Sequence, residues 1–170
     1  MDLVRLTLAA ALLTVLSGAL APAPAMAREV VNFNGAAPGT IVVRTGERRL
    51  YFVIGIRRAI RYPVGVGRIG MQWTGRSRVD GIYLRPAWAP PAAVKRDHPA
   101  LPNYIPGGAP NNPMGAGALT LNGGEYAIHG TNRPGSIGKF VSYGCIRMHN
   151  RDVLDLMKRV YVGTPVLVTR

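Results

Sequence analysis

The sequence of 170 residues contains 21 Lys and Arg against 8 Asp and Glu, so its formal net charge is +13, and it contains one cysteine. A lone cysteine excludes a disulfide within the chain, and the strong positive charge predicts an anionic partner. The arginines are scattered without the interleaved aromatic residues that stack on bases, so the composition does not favour nucleic acid as that partner.

Residues 1–27 are typical of a secretory signal peptide. Arg5 precedes an apolar run, two prolines follow that run, and Ala25-Met26-Ala27 matches the small-x-small pattern of a cleavage site. The apolar run, residues 6–20, is shorter than the roughly 20 residues that a membrane span needs. We therefore expect cleavage after this segment, export to the periplasm or cell wall, and a mature form without a transmembrane span.

The remaining chain has the length of one ordinary domain. Residues 28–40 have the Gly, Pro and Asn content of a short flexible tether, so the folded domain is predicted to span 41–170. Residues 86–117 form a long excursion without a regular period, and we expect it to cover a functional cleft. Short β-rich segments bounded by turn residues predict strands at 41–44, 49–53, 60–66, 81–84, 119–121, 126–129 and 164–169.

One helix is predicted near the C-terminus, at 151–160. Asn150 can act as its N-cap, Asp152 lies in its first turn, and apolar residues recur on one helical face. A closing strand follows Gly163. The sequence therefore predicts a mainly β, single-domain fold, either a β-sandwich or an open barrel, with this one clear helix.

A histidine and the only cysteine lie sixteen positions apart. His129 ends the predicted strand 126–129, and Cys145 lies in the segment Ser142-Tyr143-Gly144-Cys145-Ile146-Arg147. A thiol attacks as its thiolate, and a nearby histidine can take up its proton, so the pair predicts nucleophilic acyl transfer. Each residue alone has an ordinary structural explanation, a histidine at a strand end and a small buried hydrophobe. A free thiol in an oxidising compartment, however, is at risk of oxidation, which favours the functional interpretation.

Three segments of the chain occur in a particular order. They are Asn112-Pro113-Met114-Gly115, Ala127-Ile128-His129-Gly130-Thr131-Asn132 and Ser142-Tyr143-Gly144-Cys145-Ile146-Arg147-Met148, and Asn150 follows the last of them. In their order, and in the spacing between histidine and cysteine, they resemble the L,D-transpeptidase catalytic domain, also called the YkuD domain, of bacterial cell-wall enzymes. The resemblance covers most of the chain after the predicted signal peptide.

The resemblance implies that Cys145 is the nucleophile and His129 its general base. The thiolate would attack the bond between the third and fourth residues of a peptidoglycan stem peptide, release D-alanine and retain the acyl group as a thioester. An amine of a second stem peptide would then form a 3-3 cross-link. The resemblance also implies that carbapenems acylate Cys145, and that the reaction needs no metal or cofactor.

Two other acceptors remain open within the same enzyme class. Water as the acceptor would make the protein an L,D-carboxypeptidase, and a lysine of an outer-membrane protein would make it an enzyme that attaches this protein to peptidoglycan. All three reactions share the first half, so the sequence does not distinguish them. An interpretation of another class is a non-catalytic, basic module that binds wall polymer and keeps an inert thiol.

The neighbours of the cysteine have candidate roles of their own. The backbone N–H groups of Gly144 and Cys145 are candidates for an oxyanion hole, because glycine lets the backbone approach the reacting carbonyl. Ser142 could either orient His129 or satisfy a turn. Arg147 could fix a carboxylate of the stem peptide or lock the loop through backbone carbonyls.

The remaining candidates are predicted to bind substrate or orient loops. Many family members have a histidine before the Gly-Cys pair, whereas this chain has Tyr143 there, so His129 is expected to act alone. Gly130 and Thr131 belong to the matching segments and Asn150 follows the last of them. These three residues are therefore also predicted to bind substrate or orient loops.

Overall fold

The computed structural model describes residues 28–123 and 126–170, so the predicted signal peptide lies outside the described residues. Within these ranges, neither helix has the length and apolar character that crossing a bilayer requires. The predicted mainly β class is confirmed. The strands are β1 Glu29–Asn32, β2 Ile41–Arg44, β3 Arg49–Gly55, β4 Arg58–Gly67, β5 Gly75–Leu84, β6 Gly117–Leu121, β7 Ala127–His129, β8 Phe140–Ser142, β9 Ile146–Met148 and β10 Pro165–Thr169, and the helices are α1 Ala92–Asp97 and α2 Asn150–Met157.

Eight of the described strands close into a barrel. The order around it is β4, β3, β2, β10, β5, β6, β7 and β9, and β9 pairs back with β4. Strand β4 makes this closure possible because it is long enough to serve different neighbours along its length. Its first part pairs with β3, and Val64 and Gly65 then pair with Met148 and Arg147 of β9. The observed barrel is thus closed, whereas the sequence predicts a sandwich or an open barrel. Closure leaves fewer strand edges without a neighbouring strand.

The barrel interior is filled mostly by aliphatic side chains, as alternation along the strands predicts. Helix α2 packs against β6 and β7 and buries Val153 and Leu156 in the same core. The hydroxyl of Tyr62 on β4 donates a 2.6 Å hydrogen bond to Asp155 of this helix. Burial and this carboxylate raise the pKa of Tyr62 well above its ordinary value, so the phenol remains a donor. The helix is therefore fixed against the strands that carry the predicted site.

The predicted flexible tether differs from the structure. Residues 29–32 form an edge strand that pairs antiparallel with residues 58–61 of β4. Phe33 is buried and stacks on Tyr51, with a distance of 4.5 Å between the ring centroids. The Gly, Pro and Asn content of this segment predicts a tether, but the segment also contains Phe33. Packing of the Phe33 ring on the barrel wall helps to order the segment.

The excursion between β5 and β6 is folded on itself. Trp88 and Ile105 form an isolated bridge in which each backbone N–H donates to the other's carbonyl, at 2.9 and 2.8 Å. The buried amide of Asn112 donates to the carbonyls of Pro86 and Pro106 at 2.9 and 3.0 Å. The excursion contains α1, which the sequence does not predict because the helix has no side-chain cap and buries no residue.

Candidate active site

The predicted base and nucleophile come together because β7 and β9 are neighbours. The two strands are parallel, with Ile128 opposite Ile146 and His129 opposite Arg147. His129 ends β7 and Cys145 immediately precedes β9, so the pairing brings the cysteine turn to the end of the histidine strand. Both residues line one cavity of about 100 Å³. Residues of the long excursion also line it, as expected for a segment that covers the cleft.

His129 is held as a neutral base. Its side chain is only 4% exposed, and its Nδ1 lies 2.7 Å from the carbonyl oxygen of Gly130. Because a carbonyl only accepts, Nδ1 carries the proton of the neutral ring and Nε2 has the lone pair. Burial, followed by the positive charge of Arg147, lowers the pKa of His129 from 6.5 to about 4, against the opposing effect of backbone hydrogen bonds. At neutral pH, Nε2 is therefore ready to accept a proton.

Ser142 organises the turn that carries the nucleophile. Its hydroxyl donates to the carbonyl of Cys145 at 2.6 Å and accepts from the N–H of Gly144 at 3.1 Å. The structure thus supports the second role predicted for Ser142, which is to hydrogen-bond within the turn. The group that orients His129 is the carbonyl of Gly130. The N–H of Gly144 donates to Ser142, which differs from its predicted role in an oxyanion hole. The oxyanion role of the Cys145 N–H remains a prediction.

Two aromatic residues that no sequence motif indicates support this turn. Trp73 donates from Nε1 to the carbonyl of Gly144 at 3.1 Å, and its ring stacks on Tyr126 with 4.9 Å between centroids. Gly144 has a φ of +123°, and a Cβ added there would lie 2.3 Å from the Tyr126 ring. Glycine is therefore required by both backbone conformation and space. Trp73 lies 71 positions before Gly144, so no local sequence pattern could link them.

Arg147 places a positive charge beside the reacting groups. Its side chain is half-buried on β9, and its Nε has no hydrogen-bond acceptor among residues 28–123 and 126–170. Burial lowers the pKa of Arg147, and the negative charge of a Cys145 thiolate opposes that effect. The guanidinium therefore disfavours a charged imidazole on His129 and attracts a charged sulfur on Cys145. This arrangement fits a base that takes up a proton only transiently.

A sequence model of the family described as the L,D-transpeptidase catalytic domain, YkuD, matches residues 38–168. The chain belongs to this family. The protein named "Probable L,D-transpeptidase YbiS" of Escherichia coli strain K12 is 40% identical over 135 residues, which cover 74% of this chain and 43% of that protein. This L,D-transpeptidase domain thus spans less than half the length of that relative.

Solved structures share the barrel. An L,D-transpeptidase from Mycobacterium smegmatis aligns with 84% of this chain and 59% of its own, at 16% identity and a TM-score of 0.61. A protein from Brucella melitensis described as a probable carnitine operon oxidoreductase aligns with 87% of this chain and 96% of its own, at 38% identity and a TM-score of 0.58. Both likenesses support the fold described for this L,D-transpeptidase domain.

Asn150 fixes the loop that follows the base, instead of capping the helix. In the structure α2 begins at Asn150 itself, without a side-chain cap. The side-chain oxygen of Asn150 accepts hydrogen bonds from the N–H groups of Thr131 at 2.9 Å and Ala116 at 3.0 Å. A Cβ on Gly130 would lie 2.3 Å from that oxygen. Gly130, Thr131 and Asn150 thus form one contact that joins the histidine loop to the end of the excursion.

Tyr143 connects the nucleophile turn of this L,D-transpeptidase domain to helix α1. Its hydroxyl donates to Oδ2 of Asp97 at 2.6 Å, and Arg68 donates to the same oxygen at 2.8 Å. The Arg68 guanidinium also lies 4.1 Å from the centroid of the Tyr143 ring. These two hydrogen bonds lower the pKa of Asp97. We call Arg68, Asp97 and Tyr143 the latch, because they link the excursion to the residues before Cys145.

Loss of the latch is expected to loosen the excursion without unfolding the domain. In Asp97→Ala we expect amide exchange in residues 92–98 to become roughly tenfold faster, since the removed carboxylate bonds both Arg68 and Tyr143. Hydrogen exchange followed by mass spectrometry measures this. Glu29→Ala is the matched control, because it removes an exposed carboxylate that pairs with Arg61 on β4. Equal exchange in the two variants would contradict the latch.

Within the described ranges, no group of three or more His, Cys, Asp and Glu side chains could hold a metal ion.

Proposed function

We propose that this chain is an exported peptidoglycan L,D-transpeptidase, with Cys145 as the nucleophile, His129 as the general base and residues 1–27 as a signal peptide. The observation that carries the proposal is that the parallel β7–β9 pair places a thiol and a buried, neutral imidazole in one cavity. Membership of the L,D-transpeptidase family supports the same reaction class.

In the first half-reaction, Cys145 attacks the carbonyl of the third residue of a donor stem peptide. Nε2 of His129 takes the thiol proton as the carbon–sulfur bond forms, and the backbone N–H of Cys145 donates to the developing oxyanion. The tetrahedral intermediate then collapses, the imidazolium returns the proton to the departing nitrogen, and D-alanine leaves. The acyl group remains on sulfur as a thioester, which keeps the free energy of the cleaved amide.

In the second half-reaction, the amine of an acceptor stem attacks the thioester. His129 takes a proton from the attacking nitrogen, the carbon–sulfur bond breaks, and the thiolate of Cys145 leaves and is reprotonated by the imidazolium. The product is an amide between the two stems. No ATP is needed, which suits a reaction outside the cytoplasm.

The low basicity of His129 suits the proton transfers of this cycle. A ring with a pKa of about 4 is a strong acid once protonated, so it returns its proton readily to a departing amine. The positive charge of Arg147 increases that tendency and also stabilises the sulfur anion that attacks and leaves. The same guanidinium thus assists both the acid and the nucleophile.

The acceptor can be identified by the mass of the products. The purified protein is incubated with tetrapeptide-bearing wall fragments, with water as the competing acceptor and an outer-membrane protein that exposes a lysine. We expect cross-linked dimers. Tripeptides alone would indicate an L,D-carboxypeptidase, and a protein conjugate would indicate an attaching enzyme. If fragments bind and no D-alanine is released, the protein is a wall-binding module and the proposal is wrong.

A further inference from the structure

A larger cavity adjoins the cavity that contains the thiol. Its volume is about 410 Å³, against about 100 Å³ for the cavity at Cys145. The two share walls formed by Trp88, Val94, Pro113, Tyr143 and Arg147. The reaction steps described above use only the smaller cavity. We call the larger cavity, which shares these walls with the cavity at Cys145, the side chamber.

The side chamber is positively charged. Arg68, Arg133 and Arg147 line it together with His98, and its lining contains no Asp or Glu. Arg68 is already paired with Asp97 of the latch, whereas Arg133 and Arg147 are near enough for Arg133 to lower the pKa of Arg147. Two neighbouring guanidinium groups repel each other, and an anion bound between them relieves that repulsion.

The backbone that presents Arg133 is held on both sides. Its N–H donates to the hydroxyl of Thr131 at 3.0 Å. Its carbonyl accepts from both the hydroxyl and the N–H of Ser136, at 2.7 and 2.9 Å. The side chain of Arg133 is exposed, so it is available to a ligand and is not needed to fill the core. The backbone position from which the Arg133 side chain extends is thus fixed in the loop after His129.

The rest of the side chamber is largely apolar. Trp88, Val94, Leu101 and Ile105 of the excursion and Val141 of β8 contribute to its walls. Apolar walls favour methylene groups, and the arginines favour a terminal anion. The ligand that fits both features is an aliphatic chain that ends in a carboxylate.

We propose that the side chamber binds the side chain of the third residue of the donor stem, and that it selects a side chain with a terminal carboxylate, as in diaminopimelate, over the ammonium of lysine. This inference rests on the proposed function, because it is the third residue's carbonyl that the thiol attacks. Diaminopimelate and lysine differ by one carboxylate on the carbon that bears the terminal amine, so Arg133 and Arg147 discriminate between them by that group alone. The carboxylate of the departing D-alanine lacks the methylene chain that the apolar walls accommodate.

The test compares three donor tetrapeptides with diaminopimelate, its terminal carboxamide or lysine at the third position. Hydroxylamine serves as a common acceptor, and release of D-alanine gives kcat/KM for the donor. We expect the free acid to exceed the carboxamide by about tenfold or more, which corresponds to about 1.4 kcal/mol. In Arg133→Gln this ratio should fall below about threefold, because the rate with the free acid loses the contact that the carboxamide never makes. Arg76→Gln removes the same charge from an exposed site on β5 and should keep the full ratio.

Equal rates for acid and carboxamide in the unaltered protein would overturn the inference, as would a ratio that survives in Arg133→Gln. Failure of the proposed function looks different, because no stem would then release D-alanine. Binding of the three stems to Cys145→Ala, measured by calorimetry, gives a readout that needs no turnover. Tighter binding of the free acid to Cys145→Ala, with this preference lost in Cys145→Ala/Arg133→Gln, supports the proposed role of the side chamber. Equal affinities of Cys145→Ala for the three stems overturn the proposal.

Discussion

Replacement of Cys145 by serine is expected to lower the rate of D-alanine release by at least about 10⁴-fold. A hydroxyl ionises far less readily than a thiol, and the proposed base in the same cavity, His129, has a pKa of about 4. Such a weak base can assist a thiol but cannot activate an alcohol at neutral pH. The measurement is D-alanine release from a tetrapeptide donor, together with the intact mass of the protein after incubation with a carbapenem.

The mass measurement tests the site of attack independently of turnover. The unaltered protein should gain the mass of one carbapenem, and neither Cys145→Ser nor Cys145→Ala should gain it. Both variants should unfold at temperatures close to that of the unaltered protein, because each replacement preserves or reduces the volume of a partly exposed side chain. A carbapenem adduct on Cys145→Ala, or turnover above about 1% of the original rate in Cys145→Ser, would place the nucleophile elsewhere.

Strands β2 to β7, β10 and helix α2 could be predicted because their signals are local, whereas the sequence does not predict β1, β8 and β9. Turn residues between apolar runs mark β2 and β3, and the apolar face of α2 recurs at helical spacing. Closure of the barrel has no local signal. It depends on β4 pairing with β3 at one end and with β9 at the other, and β9 itself has only three residues. Pairings between segments so far apart in the chain are set by packing rather than by propensity.

The candidate site also has a part that could be predicted from the sequence and a part that could not. His129 and Cys145 could be found because they lie in segments with a recognisable order. Their supports could not, since Trp73 and Asp97 come from distant parts of the chain and reach the site through side-chain contacts that have no local sequence signal. Asn150 illustrates a further limit. Its position before an apolar helical face predicts an N-cap, yet its oxygen accepts bonds from two other loops, a choice that only the tertiary structure determines.

The acid limb of activity is expected to lie near pH 4, well below that of an ordinary histidine. His129 must be neutral to accept the thiol proton, and burial and Arg147 lower its pKa from 6.5 to about 4. At pH 5, about nine tenths of the rings are then in the active form, against about 3% for an ordinary histidine. We therefore expect kcat/KM for D-alanine release to stay nearly constant from pH 7 to pH 5 and then to fall.

Arg147→Gln tests the electrostatic part of this expectation. It removes the like charge beside His129, so the pKa of His129 should rise and the acid limb should move to higher pH. Arg76→Gln, the exposed control, should leave the limb in place. A limb near pH 6.5 in the unaltered protein would contradict the neutral, desolvated base. An acid limb that stays in place in Arg147→Gln would show that the charge of Arg147 does not lower the pKa of His129.

Stability provides a second readout of the same buried ring. Because its pKa is lower in the folded than in the unfolded state, the unfolded chain binds the proton first as the pH falls. The free energy of unfolding should therefore decrease between about pH 6.5 and pH 4, by about 1.4 kcal/mol per pH unit and about 3 kcal/mol in total. Urea unfolding at pH 7 and pH 4.5 measures this loss. His129→Gln lacks the titrating group and should lose correspondingly less stability over that interval, and an equal loss in both proteins would mean that His129 titrates as it does in the unfolded chain.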